Sequence, residues 1–89
     1  MKAVITVVGK DMVGILAKVS TFCASRNVNV LEVTQSVLSE LFTMVMLVEI
    51  SKLEGDFVVF GKELSELGDS LGLKIHAMHE DIFNSMHKI

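Results

Sequence analysis

Residues 2–8 (KAVITVV) are apolar and β-branched at odd and even positions alike. Side chains alternate across a sheet, so this predicts a strand buried on both faces. From Met12 the period turns helical. Met12, Ile15, Leu16, Val19, Phe22 and Cys23 recur at i, i+3, i+4 and i+7, one stripe of a helix over 12–26, with Lys18, Thr21 and Ser25 off it. Asp11 stands where an N-cap belongs. Residues 28–37 (VNVLEVTQSV) read as a strand interrupted by Asn29, Glu32, Thr34 and Gln35. A turn near Ser39–Glu40 lacks the Asn-Gly chemistry of a two-residue hairpin, which predicts a slightly longer loop. Residues 41–50 (LFTMVMLVEI) are again apolar on both faces. From Asp56 the spacing of Phe57, Phe60, Leu64, Leu67 and Leu71 predicts a second helix ending at Gly72. Residues 73–80 alternate loosely as a more polar strand. In 81–89 (DIFNSMHKI), Ile82, Phe83, Met86 and Ile89 share one side of a short helix capped by Asp81.

The predicted order is βαββαβ with a tail helix. The first and third strands suit the interior of a sheet and the second and fourth its edges. This implies an α+β, ferredoxin-like sandwich: an antiparallel sheet ordered 4-1-3-2, two helices on one face, and a short C-terminal helix. No linker, repeat or low-complexity segment interrupts it. One domain over 1–89 is expected, with a core at 2–80 and the tail helix at 81–89.

A chain of 89 residues buries roughly 60–65% of its unfolded-state surface. The composition is 51% hydrophobic, and helices would cover only one sheet face. Both features favour a homodimer, paired side by side through edges or face to face through sheets. The net charge of −3, with Arg26 the only arginine, argues against nucleic-acid binding, which needs clustered cations. No apolar run reaches the ~18–20 residues of a membrane span. The first residues enter a strand pattern without a signal peptide's cleavage site, so a cytoplasmic protein is expected. Cys23, the single cysteine, forms no internal disulfide and falls on the helix stripe as a core residue.

Fold class alone does not give function. RNA-recognition domains stack bases on aromatics of strands 1 and 3, where this chain has only Phe42. The loop "GKDMVG" has neither the paired cysteines of small copper chaperones nor the arginine of an acylphosphatase cradle. Gly9 and Gly14 have P-loop spacing, but Ile15-Leu16 follow where Lys-Ser/Thr is required. His76 and His79, three apart on a strand, point to opposite faces, so no metal shared between them and His87 is expected. No nucleophile stands beside a base. The expectation is a non-enzyme without a cofactor or metal; a small enzyme using His76 or His79 is the weakest reading.

The segment "VVGKDMVGILAKVSTFCASRNVNVLEVTQ", followed by "FTMVMLVEI", resembles an ACT domain: a strand, a D/N-x-x-G turn, an apolar helix and a G/N-x-N-[IV] second strand. The resemblance covers residues 2–80. It points to the small free-standing UPF0237-like group, including the "IFNSMHKI" tail, and more distantly to glycine-cleavage repressor-type ACT domains. It implies a regulatory domain that binds a small ligand, often an amino acid, where domains pair. The family's polar positions fall on Asp11 and Asn29. Val13 stands where many amino-acid-binding members have proline, and Gly9 where some have histidine.

The residues themselves fit such a site. The N–H groups of Met12, Val13 and Gly14 would open a helix whose dipole favours a carboxylate. Gly14 leaves the backbone approachable, Asp11 could accept from an ammonium, and Asn29 both donates and accepts. The same residues also admit plain structural roles: Asp11 as a cap, and Asn29 as an ordinary edge-strand polar residue. Met44, Met46, Met78 and Met86 read as packing residues. Gly61, Ser65 and Gly68 form a small-residue stripe that either packs closely on a partner or is merely tolerated. The alternative function is an interaction module that regulates a transcription or metabolic protein partner without binding a metabolite.

Overall fold

The computed structural model describes residues 1–86. The elements are β1 (Lys2–Lys10), α1 (Ile15–Ser25), β2 (Asn29–Leu38), β3 (Leu41–Glu49), α2 (Phe57–Leu71), β4 (Leu73–His79) and α3 (Glu80–Met86). One antiparallel sheet runs β2-β3-β1-β4, the expected ferredoxin-like order. Ile5 lies between Met46 and Ala77, and Val7 between Met44 and Ile75. With Ala3, Phe42, Val48 and Leu73, these residues form the helix side of the core, closed by Ile15, Val19 and Cys23 of α1 and Phe60 and Leu64 of α2. Alternation puts Val4, Thr6, Val8, Thr43, Val45 and Leu47 on the other face. There Val4 is buried, Thr6, Thr43, Val45 and Leu47 are half-buried, and Val8 is exposed. The double-faced apolar pattern of β1 and β3 therefore marks one fully covered face and one partly open face.

The two long helices are joined by side chains. Phe22 stacks on Phe60 with centroids 5.7 Å apart. Arg26 donates to both oxygens of Glu63, at 3.2 and 2.8 Å, while its guanidinium lies 4.7 Å from the Phe22 ring centre. The hydrogen bond from Arg26 holds the Glu63 carboxyl below its ordinary range. At the start of α2 the Asp56 carboxylate accepts from the Val58 N–H, and Gly72 ends the helix in the left-handed region.

The small-residue stripe of α2 divides in two. Gly68 is buried against its own β4: a Cβ there would stand 2.7 Å from the Leu73 carbonyl oxygen and 2.9 Å from Ile75 Cγ1. A Cβ at Gly61 would meet nothing within 4 Å. Part of the stripe is thus consumed inside the chain.

The first helix begins at Ile15 and not at Met12, and its N-cap is Gly14, with no side chain bonding the helix end. Asp11 is not the cap, because it lies three residues upstream. The tail helix starts at Glu80, one residue before the expected Asp81 cap, and has no fully buried residue. It touches β1 and β4, with Phe83 half-buried but Ile82 53% and Met86 66% exposed. The tail therefore buries less than its apolar stripe implied; Ile89 lies outside the described residues.

Candidate functional site

The β1–α1 loop is tied down at one end by its backbone. The Asp11 N–H donates to the Glu40 carbonyl at 3.0 Å, fastening the loop to the β2–β3 turn. Gly14, at φ 87°, turns the chain into α1, a conformation that side-chain-bearing residues rarely adopt. Its carbonyl accepts the first helical bond, from Lys18 at 3.0 Å. The preceding N–H groups, of Ile15, Leu16 and Ala17, have no intrahelical acceptor, and no side chain caps the end. The helix dipole adds partial positive charge at the same place.

These donors face a groove of about 370 Å³. Asp11, Met12 and Gly14 line it with the first residues of α1; Gln35, Ser36 and Val37 of edge strand β2 form the opposite wall, above Phe42. Chemically, the groove offers N–H donors, one carboxylate and one amide, with apolar surface from Ile15, Leu16, Val37 and Phe42. That combination suits a small molecule with an anionic end and some apolar surface.

The predicted site residues divide accordingly. Asp11, Met12 and Gly14 line the groove, whereas Val13 is 98% exposed and does not. The free donors sit later than expected, at Ile15–Ala17, because the helix starts later. Asn29 is at the far end of β2, opposite Glu49, and lines a separate polar hollow with Asn27, Ser51 and Lys52. Within one chain it does not join Gly14. Gln35, which occupies the polar wall, escaped the sequence reading. Its signal was the consecutive Thr34-Gln35 pair: in a strand, one of two adjacent polar residues must face the helix side, and Gln35 does, opposite Met44.

Elsewhere the chemistry is quiet. His76 lies opposite Thr6 and His79 opposite Ala3, on opposite sheet faces as their spacing implied, and the His79 ring packs 4.4 Å from that of Phe57. His87 lies outside the described residues, and among those described no group of three or more His, Cys, Asp or Glu could hold a metal ion. Burial pushes the Cys23 thiol up to about 11. Among the described residues no helix is long and apolar enough to cross a membrane.

The model of the ACT domain family matches residues 2–78. A UPF0237 protein of Methanocaldococcus jannaschii is 42% identical over 88 residues, covering 99% of this chain and 98% of its own. The structure of an ACT domain protein from Streptococcus pneumoniae superposes with a TM-score of 0.82 at 42% identity, covering 93% of each chain. The fold is shared further with a structure described as a glycine cleavage system transcriptional repressor, at a TM-score of 0.69 and 24% identity, over 86% of this chain and 44% of that one. Fold, loop and sequence thus agree: the chain belongs to the ACT domain family.

Proposed function

We propose that this chain senses a small carboxylate-bearing ligand, an amino acid or close relative, in the groove between α1 and β2, at the border with a second copy. ACT domains are in general regulatory small-ligand-binding domains. The observation that carries the reading is the uncapped α1 N-terminus, whose unbonded N–H groups open onto a groove with Asp11 on the same side and Gln35 opposite. The ligand carboxylate meets the N–H groups of Ile15–Ala17, its ammonium meets Asp11, and Gln35 bridges to either. The free edge of β2 borders the groove. A second copy paired antiparallel along that edge, about a two-fold axis near its middle, brings its Asn29 end alongside residues 36–38 of the first. In that way Asn29 joins the site from the partner. No catalytic step is assigned to any residue.

The test is a thermal-shift screen of amino acids and related carboxylates. A ligand at 100 times its Kd stabilises by about 2.7 kcal/mol if it binds only the folded state. Gln35→Ala removes one exposed polar contact and should weaken binding by about 1–2 kcal/mol without changing the ligand-free melt. Gly14 variants are read against their own ligand-free melts, because a side chain at φ 87° strains the backbone although nothing lies within 4 Å of its Cβ. If no ligand shifts the wild-type protein, the reading fails.

The exposed apolar tip formed by Val13, at 98%, and Met12, at 44%, favours the second reading, a module that regulates a protein partner. Its mark would be loss of regulation in Val13→Ser with no metabolite bound to either protein.

A further inference from the structure

Alternation along β2 sorts the far wall of the α1–β2 groove. Gln35 and Val37 turn to the helix side, opposite Met44 and Phe42, while Ser36 between them turns to the other sheet face, opposite Thr43. Met12, Ile15 and Leu16 stand on the near wall, so away from Asp11 and Gln35 the side chains facing the groove are apolar. Phe42 is buried and forms the floor, but Val37 is 53% exposed and Leu16 is only half-buried. The fold thus leaves two apolar side chains open to water on opposite walls.

Charge is distributed with the same bias. Asp11 is the only ionisable side chain lining the groove, and among the described residues no Lys, Arg or His lines it. The cations nearest in sequence are turned elsewhere. Lys10 shares the other sheet face with Val8, and Lys18 lines a separate hollow with Phe22 and, from α2, Leu67. A ligand carboxylate at the α1 N-terminus and an ammonium at Asp11 use up the charged partners that the groove has. A second carboxylate would lie between apolar walls without a cation, and a second ammonium would compete for the one carboxylate. Burying either charge unpaired is unfavourable.

Resting on the sensing role proposed above, we infer that the groove selects amino acids with an aliphatic side chain, and that Leu16 and Val37 set this preference. The ligand's charged groups are held at Asp11 and at the N–H groups of Ile15–Ala17. Its side chain runs over Phe42 between Leu16 and Val37, covering the apolar surface that the fold leaves exposed. The groove, at about 370 Å³, is near the small end of ligand cavities, roughly 300–1,000 Å³. That is a size for one amino acid and not for a peptide.

Isothermal titration calorimetry with glycine, alanine, 2-aminobutyrate and norvaline tests this, because the series lengthens the side chain one carbon at a time. Each carbon buried between Leu16 and Val37 should lower Kd by up to about fourfold, so norvaline should bind on the order of tenfold or more tighter than glycine. Aspartate, glutamate and lysine should all bind more weakly than norvaline. Val37→Thr nearly keeps the shape of the wall but replaces a methyl by a hydroxyl, and should weaken norvaline several-fold more than glycine. Val37→Lys sets the missing cation opposite α1 and should make glutamate a tighter ligand than norvaline. Val37 is an exposed position of an edge strand, so both variants should fold, which circular dichroism checks; should Val37→Lys not fold, Val37→Thr and the wild-type series decide. A flat series in which every member binds alike, a wild type that prefers aspartate, glutamate or lysine, or equal losses for norvaline and glycine in Val37→Thr would each overturn the inference and leave the groove as a sensing site. If no amino acid gives either heat or a thermal shift with the wild type, the sensing role itself fails, and the inference with it.

Discussion

Gly61 and Gly68, two turns apart on α2, should respond to alanine in opposite directions. Glycine in a helix interior costs roughly 0.8–1 kcal/mol relative to alanine. At Gly61 the added methyl enters open space, so Gly61→Ala should gain nearly that amount, a rise of about 4–8 °C in a domain of this size. At Gly68 the same propensity gain meets an obstacle. The new Cβ would stand 2.7 Å from the Leu73 carbonyl oxygen and 3.3 Å from Ile75 Cβ. The first of these is backbone of β4, which pairs with β1 along its length and cannot withdraw by rotating a side chain. Overpacking of this kind costs about 1–3 kcal/mol. Gly68→Ala should therefore lose about 1 kcal/mol net, and the two variants should differ by about 2 kcal/mol. Urea melts followed by circular dichroism, with equal m-values, measure this directly. Equal stabilisation by both substitutions would refute the close approach of α2 to β4. Destabilisation by Gly61→Ala would mean that another chain packs on the open half of the stripe.

The two candidate caps make a second contrast: Asp56→Ala should cost about 1 kcal/mol by freeing the Val58 N–H, whereas Asp11→Ala should stay within about 0.5 kcal/mol. Equal costs in urea melts would restore Asp11 as a cap. The lowered Glu63 carboxyl sets a pH dependence. Its folded value lies below the ordinary 4.5, so the stability it contributes is present above that value and is lost as pH falls through the folded one. The melting difference between wild type and Glu63→Gln should be largest near neutrality and vanish in acid; an offset independent of pH would contradict the ion pair with Arg26. The Cys23 thiol, pushed up to about 11 by burial, should react with a thiol reagent only at the unfolding rate, and fast labelling of the native protein would show that it is accessible.

The fold was legible because its interior strands and helices advertise themselves by period. β1 and β3 are nearly continuous in apolar residues, and α2 carries both of its signals, Asp56 before it and Gly72 after it. The site was less legible, for local reasons. Met12 fits the α1 stripe by spacing but belongs to the loop, since Gly14 takes the left-handed turn that must precede the helix. That displaced the free N–H groups by three residues and removed the cap from Asp11. Asn29 and Gln35 are both polar residues of β2, yet they lie near opposite ends of a strand whose side chains are mostly exposed. Which end meets the loop depends on strand order and register, which pair Lys10 with Leu41 and Leu41 with Leu38. The tail misled for a different reason: an apolar stripe states what a helix could bury, and α3 buries little of its own within one chain.

The most direct measurement is an amide-resolved NMR titration with the amino acid that gives the largest thermal shift. Occupation of the groove should move the N–H resonances of Ile15, Leu16 and Ala17 and the Gln35 side-chain amide together, with one Kd, and Gln35→Ala should raise that Kd about tenfold. Shifts confined to the hollow near Asn27 and Lys52, or no saturable shift at Ile15–Ala17 with any carboxylate tested, would contradict ligand sensing at the start of α1.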